Sequence, residues 1–136
     1  MKDERQNRAG GGGASPGSGA ESTRRKGSFY EEKAAEVLEQ KGYRILDRNF
    51  CCRGGELDIV AMDGDVLCFV EVKYRKDLRG GYPQEAVTAA KQKHLYRAAA
   101  AWLAAHRLAP GVKCRFDVVG LTDDQFWLIR NAFGGL

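Results

Sequence analysis

Reading from the N-terminus, the first periodic stretch of apolar side chains is Tyr30, Ala34, Val37 and Leu38, spaced as one face of a helix requires and closed by Lys41. Ser28 is placed to cap this helix, Glu31 and Glu32 suit the positive end of its dipole, and Gly42 ends it. Residues 43–50 read as a short strand or extended segment. Two alternating runs, 56–62 and 65–74, flank Asp63-Gly64, a dipeptide favoured in two-residue hairpin loops. Residues 84–107 are Ala-rich and predict one long helix, entered after Gly80-Gly81-Tyr82-Pro83 and left at Pro110-Gly111. Residues 114–121 and 125–129 are two further strands. The order α-β-β-β-α-β-β predicts an α/β fold with one sheet and helices packed on its faces.

The segment before this pattern contains Gly10 to Gly13, then Ser-Pro-Gly-Ser-Gly, and no large apolar residue after Met1. Such a stretch cannot bury enough surface to offset its ordering entropy, so residues 1–26 are expected to form a flexible tail and residues 27–136 one domain. A length of 136 residues suits a single core. The formal charge is +4, yet Lys2, Arg5, Arg8, Arg24, Arg25 and Lys26 against Asp3, Glu4 and Glu21 account for three of those four charges. The body is close to neutral and does not attract polyanions through its global field. No apolar run is long enough to span a membrane, and the N-terminus lacks a secretory apolar region, so a cytoplasmic location is expected. Cys51, Cys52, Cys68 and Cys114 form no C-x-x-C pair, and His94 and His106 no H-E-x-x-H. Free thiols are expected, with no zinc and no organic cofactor.

Chemistry concentrates in the central hairpin. With Asp63-Gly64 as the loop, Met62 pairs with Asp65, and 60/67, 58/69 and 56/71 oppose each other. One face then carries Leu57, Ile59, Ala61, Val66, Cys68, Val70 and Val72, wholly apolar and fit to lie under a helix. The other carries Val60, Leu67 and Phe69 near the turn and Glu56, Asp58, Glu71 and Lys73 at the far end. In this register Asp58 and Glu71 are diagonal neighbours, able to lean onto one hard cation. An acid two residues before a lysine occurs three times in the chain, but only Glu71-Val72-Lys73 lies on a strand, where both side chains point the same way.

That set suits metal-assisted phosphodiester hydrolysis. Mg²⁺ takes oxygen ligands, keeps several waters, and is typically held by one or two carboxylates plus substrate phosphate. Asp58 and Glu71 are the candidate ligands, joined by the Val72 main-chain carbonyl. Lys73 is the candidate for orienting an attacking water or stabilising the pentavalent transition state. The plainer reading is a cross-strand Glu–Lys pair with surface acids.

Gly55-Glu56-Leu57-Asp58-Ile59-Val60 followed by Phe69-Val70-Glu71-Val72-Lys73-Tyr74-Arg75 resembles the PD-(D/E)XK restriction-endonuclease-like nucleases. More closely, residues 27–136 are similar throughout to the YraN-like family of uncharacterised bacterial proteins. The match includes Gly42-Tyr43-Arg44-Ile45-Leu46, Arg48-Asn49-Phe50, Lys91, Cys114 to Val119 and Asn131-Ala132-Phe133. The resemblance implies a restriction-endonuclease-like three-layer fold with a central mixed sheet and flanking helices. It implies Asp58, Glu71 and Lys73 as the nuclease core with Mg²⁺ or Mn²⁺ as cofactor. Glu31 matches the helix glutamate that archaeal Holliday-junction resolvases also place near the metal, and Lys26-Gly27 is similar to those resolvases. Tyr30 stands where the family usually has glycine.

Other residues carry two readings each. Glu31 shares a helical stripe with Ala34, Ala35 and Leu38 and so faces inward, as a ligand or a supporting acid. Glu56 is either a supporting acid beside the metal site or a cap to the preceding glycines. Arg75, Lys91 and Lys26 are candidate nucleic-acid contacts, against the commoner role of solvated charges. Asp117, on an apolar strand, is expected to make a structural hydrogen bond, with a metal role as the minority view. The leading functional expectation is a nuclease acting on DNA, branched or damaged DNA included. The alternative is a nucleic-acid-binding module of the same fold without cleavage, and a third is an interaction domain using the C-terminal apolar segment, homodimerisation included.

Overall fold

The computed structural model describes residues 19–108 and 111–134, with side chains from residue 28 onward. Helix α1 (Gly19–Gln40) is followed by strands β1 (Arg44–Cys52), β2 (Gly55–Asp63) and β3 (Val66–Tyr74). A 3-10 turn (Pro83–Ala86), helix α2 (Ala89–His106) and strands β4 (Cys114–Leu121) and β5 (Phe126–Phe133) complete the order. The strands form one sheet in the order β1-β2-β3-β4-β5. Only β3 and β4 run parallel, because the segment containing α2 crosses between them; the other neighbours are antiparallel. This is the α/β fold expected, a mixed sheet with a helix on each face.

Helix α1 covers one face. Ala34, Ala35 and Leu38 pack there on Ile59, Ala61, Cys68, Val70, Val119 and Leu121. Helix α2 covers the other, its Leu95, Ala98, Ala99 and Trp102 meeting Val60, Leu67, Phe69 and Phe116. The i, i+3, i+4, i+7 spacing of those four α2 residues makes one stripe, and its two alanines let the helix lie close to the strands. Gly55 sets the approach: a Cβ there would lie 2.7 Å from the His94 carbonyl oxygen, so only glycine lets the start of β2 touch α2.

Several boundaries differ from expectation. Helix α1 reaches back to Gly19, placing Ser28 inside it rather than at its cap, and residues 20–26 are rich in helix formers. The earlier part of the expected tail lies outside the described residues. The long second helix is broken: the β-branched pair Val87-Thr88 is extended, and the Thr88 side chain caps the amide of Lys91 at the start of α2. Strand β5 continues to Phe133, whose ring stacks on Phe116 at 5.0 Å between centroids. Both edge strands are irregular. The β1 register slips between Ile45 and Asp47, and the β5 side slips opposite Phe116 and Val118, where Asn131 takes φ 53°.

The hairpin register also shifts. Asp63 pairs with Val66, so the loop is Gly64-Asp65, with Gly64 at φ 62°. The slip is two residues in the pairing, which preserves the faces of β3 but moves every partner. Leu57 parts from Ile59, Ala61, Cys68 and Val70, with which it was expected to share a face, and packs with the α2 side. The β2–β3 pairing ends at Ile59–Val70, and beyond it β2 follows β1 alone.

Candidate metal and phosphate site

Asp58 and Glu71 lie just past the last paired residues, Ile59 and Val70, and their carboxyls are close enough to share a hydrogen bond. Both are buried, Asp58 at 8% exposure and Glu71 at 3%. The Val72 amide donates to Asp58 Oδ2 at 2.8 Å. That bond replaces a ladder bond where the strands part, so the sheet's loss of pairing is what orients the carboxylate. Val72 was expected to contribute its carbonyl; its described role is this amide.

Two ammonium groups meet the pair. Lys73 Nζ lies 3.7 Å and Lys91 Nζ 3.4 Å from the same oxygen, Glu71 Oε2. Lys73 is on β3 beside Glu71, as strand alternation dictates. Lys91 arrives from α2, which Gly55 holds close to the start of β2. The sequence offered Lys91 only as a candidate nucleic-acid contact or a solvated charge; the structure brings it onto the acid. A signal existed, since a lysine in the first turn of a helix sits at the unfavourable end of the dipole.

The electrostatics follow from burial. Desolvation raises the Glu71 carboxyl to about 8, and the Asp58 charge adds to this while Lys91 and Lys73 oppose it. Asp58 is also raised by burial, against the Val72 amide, a hydrogen bond with Glu71 and the Lys91 charge. Both acids therefore hold a proton more tightly than an ordinary carboxyl does. Glu31 is raised too, by partial burial and then by repulsion from Asp58, with a hydrogen bond to Asn49 opposing. So Glu31 approaches Asp58 from α1, and Asn49, at φ 56° on β1, is its hydrogen-bond partner.

The remaining candidates separate. Glu56 is exposed, and its charge acts on both Asp58 and Glu31. Arg75 is partly buried beyond the end of β3, and its Nε has no hydrogen-bond partner. The Lys26 side chain lies outside the described residues. Asp117 is fully buried and wholly engaged. Tyr43 donates to it at 2.6 Å, Arg115 at 2.8 and 2.9 Å, and the Asn131 amide at 2.9 Å. It is the structural acid expected: on β4 it pairs with Val70, one residue before Glu71, so strand alternation turns the two acids to opposite faces of the sheet.

Among the described residues, no group of three or more His, Cys, Asp and Glu side chains lies close enough together to hold a metal ion. The acids at the centre are two. Two buried carboxylates with oxygen as the only donor atom fit a hard divalent cation that keeps most of its waters. A cation between them would relieve the repulsion of the two carboxylate charges.

The family described as Uncharacterised protein family UPF0102 matches residues 30–121. A UPF0102 protein of Caldicellulosiruptor saccharolyticus is 49% identical over 116 residues, covering 81% of this chain and 98% of its own. One from Symbiobacterium thermophilum is 49% identical over 116 residues, covering 82% and 98%. One from Lachnoclostridium phytofermentans is 45% identical over 108 residues, covering 79% and 92%. These matches bear out the family resemblance read from the sequence. No helix among the described residues is long and apolar enough to cross a membrane.

Proposed function

The chain belongs to the UPF0102 family, and we propose that it is a metal-dependent nuclease that hydrolyses DNA phosphodiesters. One observation carries this reading: Asp58 and Glu71 are buried side by side, with two lysines on one of their oxygens. A surface ion pair has no need of a second buried acid, and burying two carboxylates together costs stability unless the site has a use for them.

Asp58 and Glu71 are the residues that would hold Mg²⁺ or Mn²⁺. When bound, such an ion supplies Lewis acidity toward a phosphoryl oxygen and the attacking water. The chain's own groups do the rest. The Val72 amide fixes Asp58 Oδ2 and so sets the orientation of its carboxyl. Lys73, about a third exposed, can turn its ammonium to an attacking water or to the charge that builds on phosphorus. Glu31 lends negative charge from α1, and Arg75 is placed to meet a phosphate beyond β3.

The test is incubation of the purified chain with plasmid, single-stranded and four-way-junction DNA in Mn²⁺. Cleavage is expected in the wild type and absent in Asp58→Asn, an isosteric change that keeps the bond from Val72. Equal cleavage by both proteins removes the assignment. Metal-independent, salt-sensitive DNA binding without cleavage favours instead a binding module of this fold. That no group of three or more His, Cys, Asp and Glu side chains is close enough to hold a metal among the described residues is the observation on that side.

A further inference from the structure

The two lysines that reach Glu71 come from different elements. Lys73 is its strand neighbour, two residues on. Lys91 comes from the first turn of α2, where Thr88 caps its amide at 3.2 Å. That turn has no acidic residue to offset a cation at the positive end of the helix dipole. The helix does not account for a lysine there, whereas Glu71 does: Lys91 Nζ is the nearer of the two ammoniums to Oε2. Ionised, Asp58 and Glu71 carry two negative charges. Two ammoniums neutralise them, and so does one divalent cation. The claims fall on one set of oxygens. Both lysine side chains are about a third exposed, so either can swing to water on its flexible stem.

We propose that Lys91 is a stand-in cation, seated on Glu71 until a divalent ion takes its place and then displaced toward the phosphate backbone of a nucleic acid. This rests on the metal-dependent reading given above and deepens it. Where Glu71 is ionised, the metal-free protein holds the Lys91 charge on that acid and keeps it from phosphate. In the loaded protein it is released beside the site, where an ammonium can meet a phosphoryl oxygen. Lys73 keeps its place through the strand geometry. Lys91 thus links metal loading to phosphate binding, a positioning role distinct from that of Lys73.

Two measurements on the full chain test this. The first is calorimetric titration with Mg²⁺ alone at pH 8.5, for the wild type, Lys91→Gln, Lys91→Arg and Glu71→Gln, each checked by a thermal melt. Lys91→Met, which retains most of the stem, replaces Lys91→Gln if the glutamine variant unfolds. Removing the competing charge is expected to tighten Mg²⁺ binding roughly three- to fivefold, the range for an ion pair partly screened by water. Lys91→Arg keeps the charge and is expected to bind as the wild type does. Binding gained in Lys91→Gln where the wild type has none also supports the proposal. Unchanged or weaker binding in Lys91→Gln, with binding lost in Glu71→Gln, overturns the stand-in role and leaves the metal site in place. No binding in any protein, or binding indifferent to Glu71→Gln, overturns both. The second measurement is anisotropy of a labelled single-stranded oligonucleotide in Ca²⁺ and in EDTA. Lys91→Gln is expected to weaken binding in Ca²⁺ only; equal weakening in EDTA overturns the proposal.

Discussion

Replacing Glu71 by glutamine should stabilise the metal-free protein, and increasingly so as pH rises. Glu71 is 3% exposed and lies beside a second buried acid. Desolvation first, then the Asp58 charge, carries its carboxyl from 4.5 to about 8, with Lys91 and Lys73 opposing. The folded chain therefore retains a proton that the unfolded chain releases. Because the native state binds more protons, stability is greatest below the unfolded value and falls as pH rises through the folded one. The window runs from about pH 5 to about pH 8. A tenfold change in proton affinity is worth about 1.4 kcal/mol, and with two interacting acids the loss across the window is on the order of 2–4 kcal/mol. Glutamine keeps the shape and carries no charge to desolvate. It leaves Lys73 and Lys91 without their acid, a small cost because both reach water. Urea denaturation in EDTA at pH steps from 5 to 8.5 measures the effect. The wild-type midpoint should decline across the range, while the Glu71→Gln midpoint changes less and lies above it at the alkaline end. Parallel curves for the two proteins would refute the reasoning, because they would mean that Glu71 releases its proton equally easily in both states.

Three further outcomes follow from particular contacts. Asp58→Ala removes the acceptor of a part-buried amide, and the stranded Val72 N–H should cost about 1–3 kcal/mol in denaturant unfolding, against little for Asp58→Asn. Tyr43→Phe removes a 2.6 Å bond to the buried Asp117 and should cost roughly 1.5–3 kcal/mol. Burial works to raise Asp117, but Arg115, Tyr43 and the Asn131 amide together hold it below the usual carboxylate value. Its contribution is therefore present above that ordinary value and lost as pH falls through the depressed one, so Tyr43→Phe should move the acid-unfolding midpoint to higher pH. Gly55→Ala places a methyl against the His94 carbonyl; α2 must lift from β2, costing about 1–3 kcal/mol by thermal melt and carrying Lys91 away from Glu71.

Much of this site could be read before the structure. Strand alternation alone put Glu71 and Lys73 on one face, and the apolar run beside them marked the sheet's centre. The even size of the register slip preserved that result although the loop was misplaced. Asp-Gly and Gly-Asp are adjacent dipeptides here, and composition does not say which pair forms the turn. The contact of Lys91 with Glu71 was only hinted at by the lysine's place in the first turn of α2, because it depends on Gly55 letting a distant helix approach. The closeness of Asp58 to Glu71 depended on that same register. The end of the ladder at Ile59–Val70 was equally hidden, since it arises where Asp58's own side chain takes the Val72 amide. The second helix was overextended because its alanines carry strong propensity and the Val87-Thr88 break is two residues long. Asp117 was recognised as structural from its apolar strand, but its partners come from β4 itself, from β5 and from the residue before β1, and no local pattern joins them.

The irregular edges bear on how copies of this molecule meet. A sheet ends in unpaired main-chain groups, and a flat, regular edge invites another strand to continue it. Here β1 slips at Ile45–Asp47 and β5 at Asn131, so neither outer strand offers an even ladder, and Arg44 and Arg130 add exposed charge at the margins. Concentrated solutions are expected to resist growth by strand addition. Any self-association should then proceed through faces or helices, leaving both ends of the sheet unjoined.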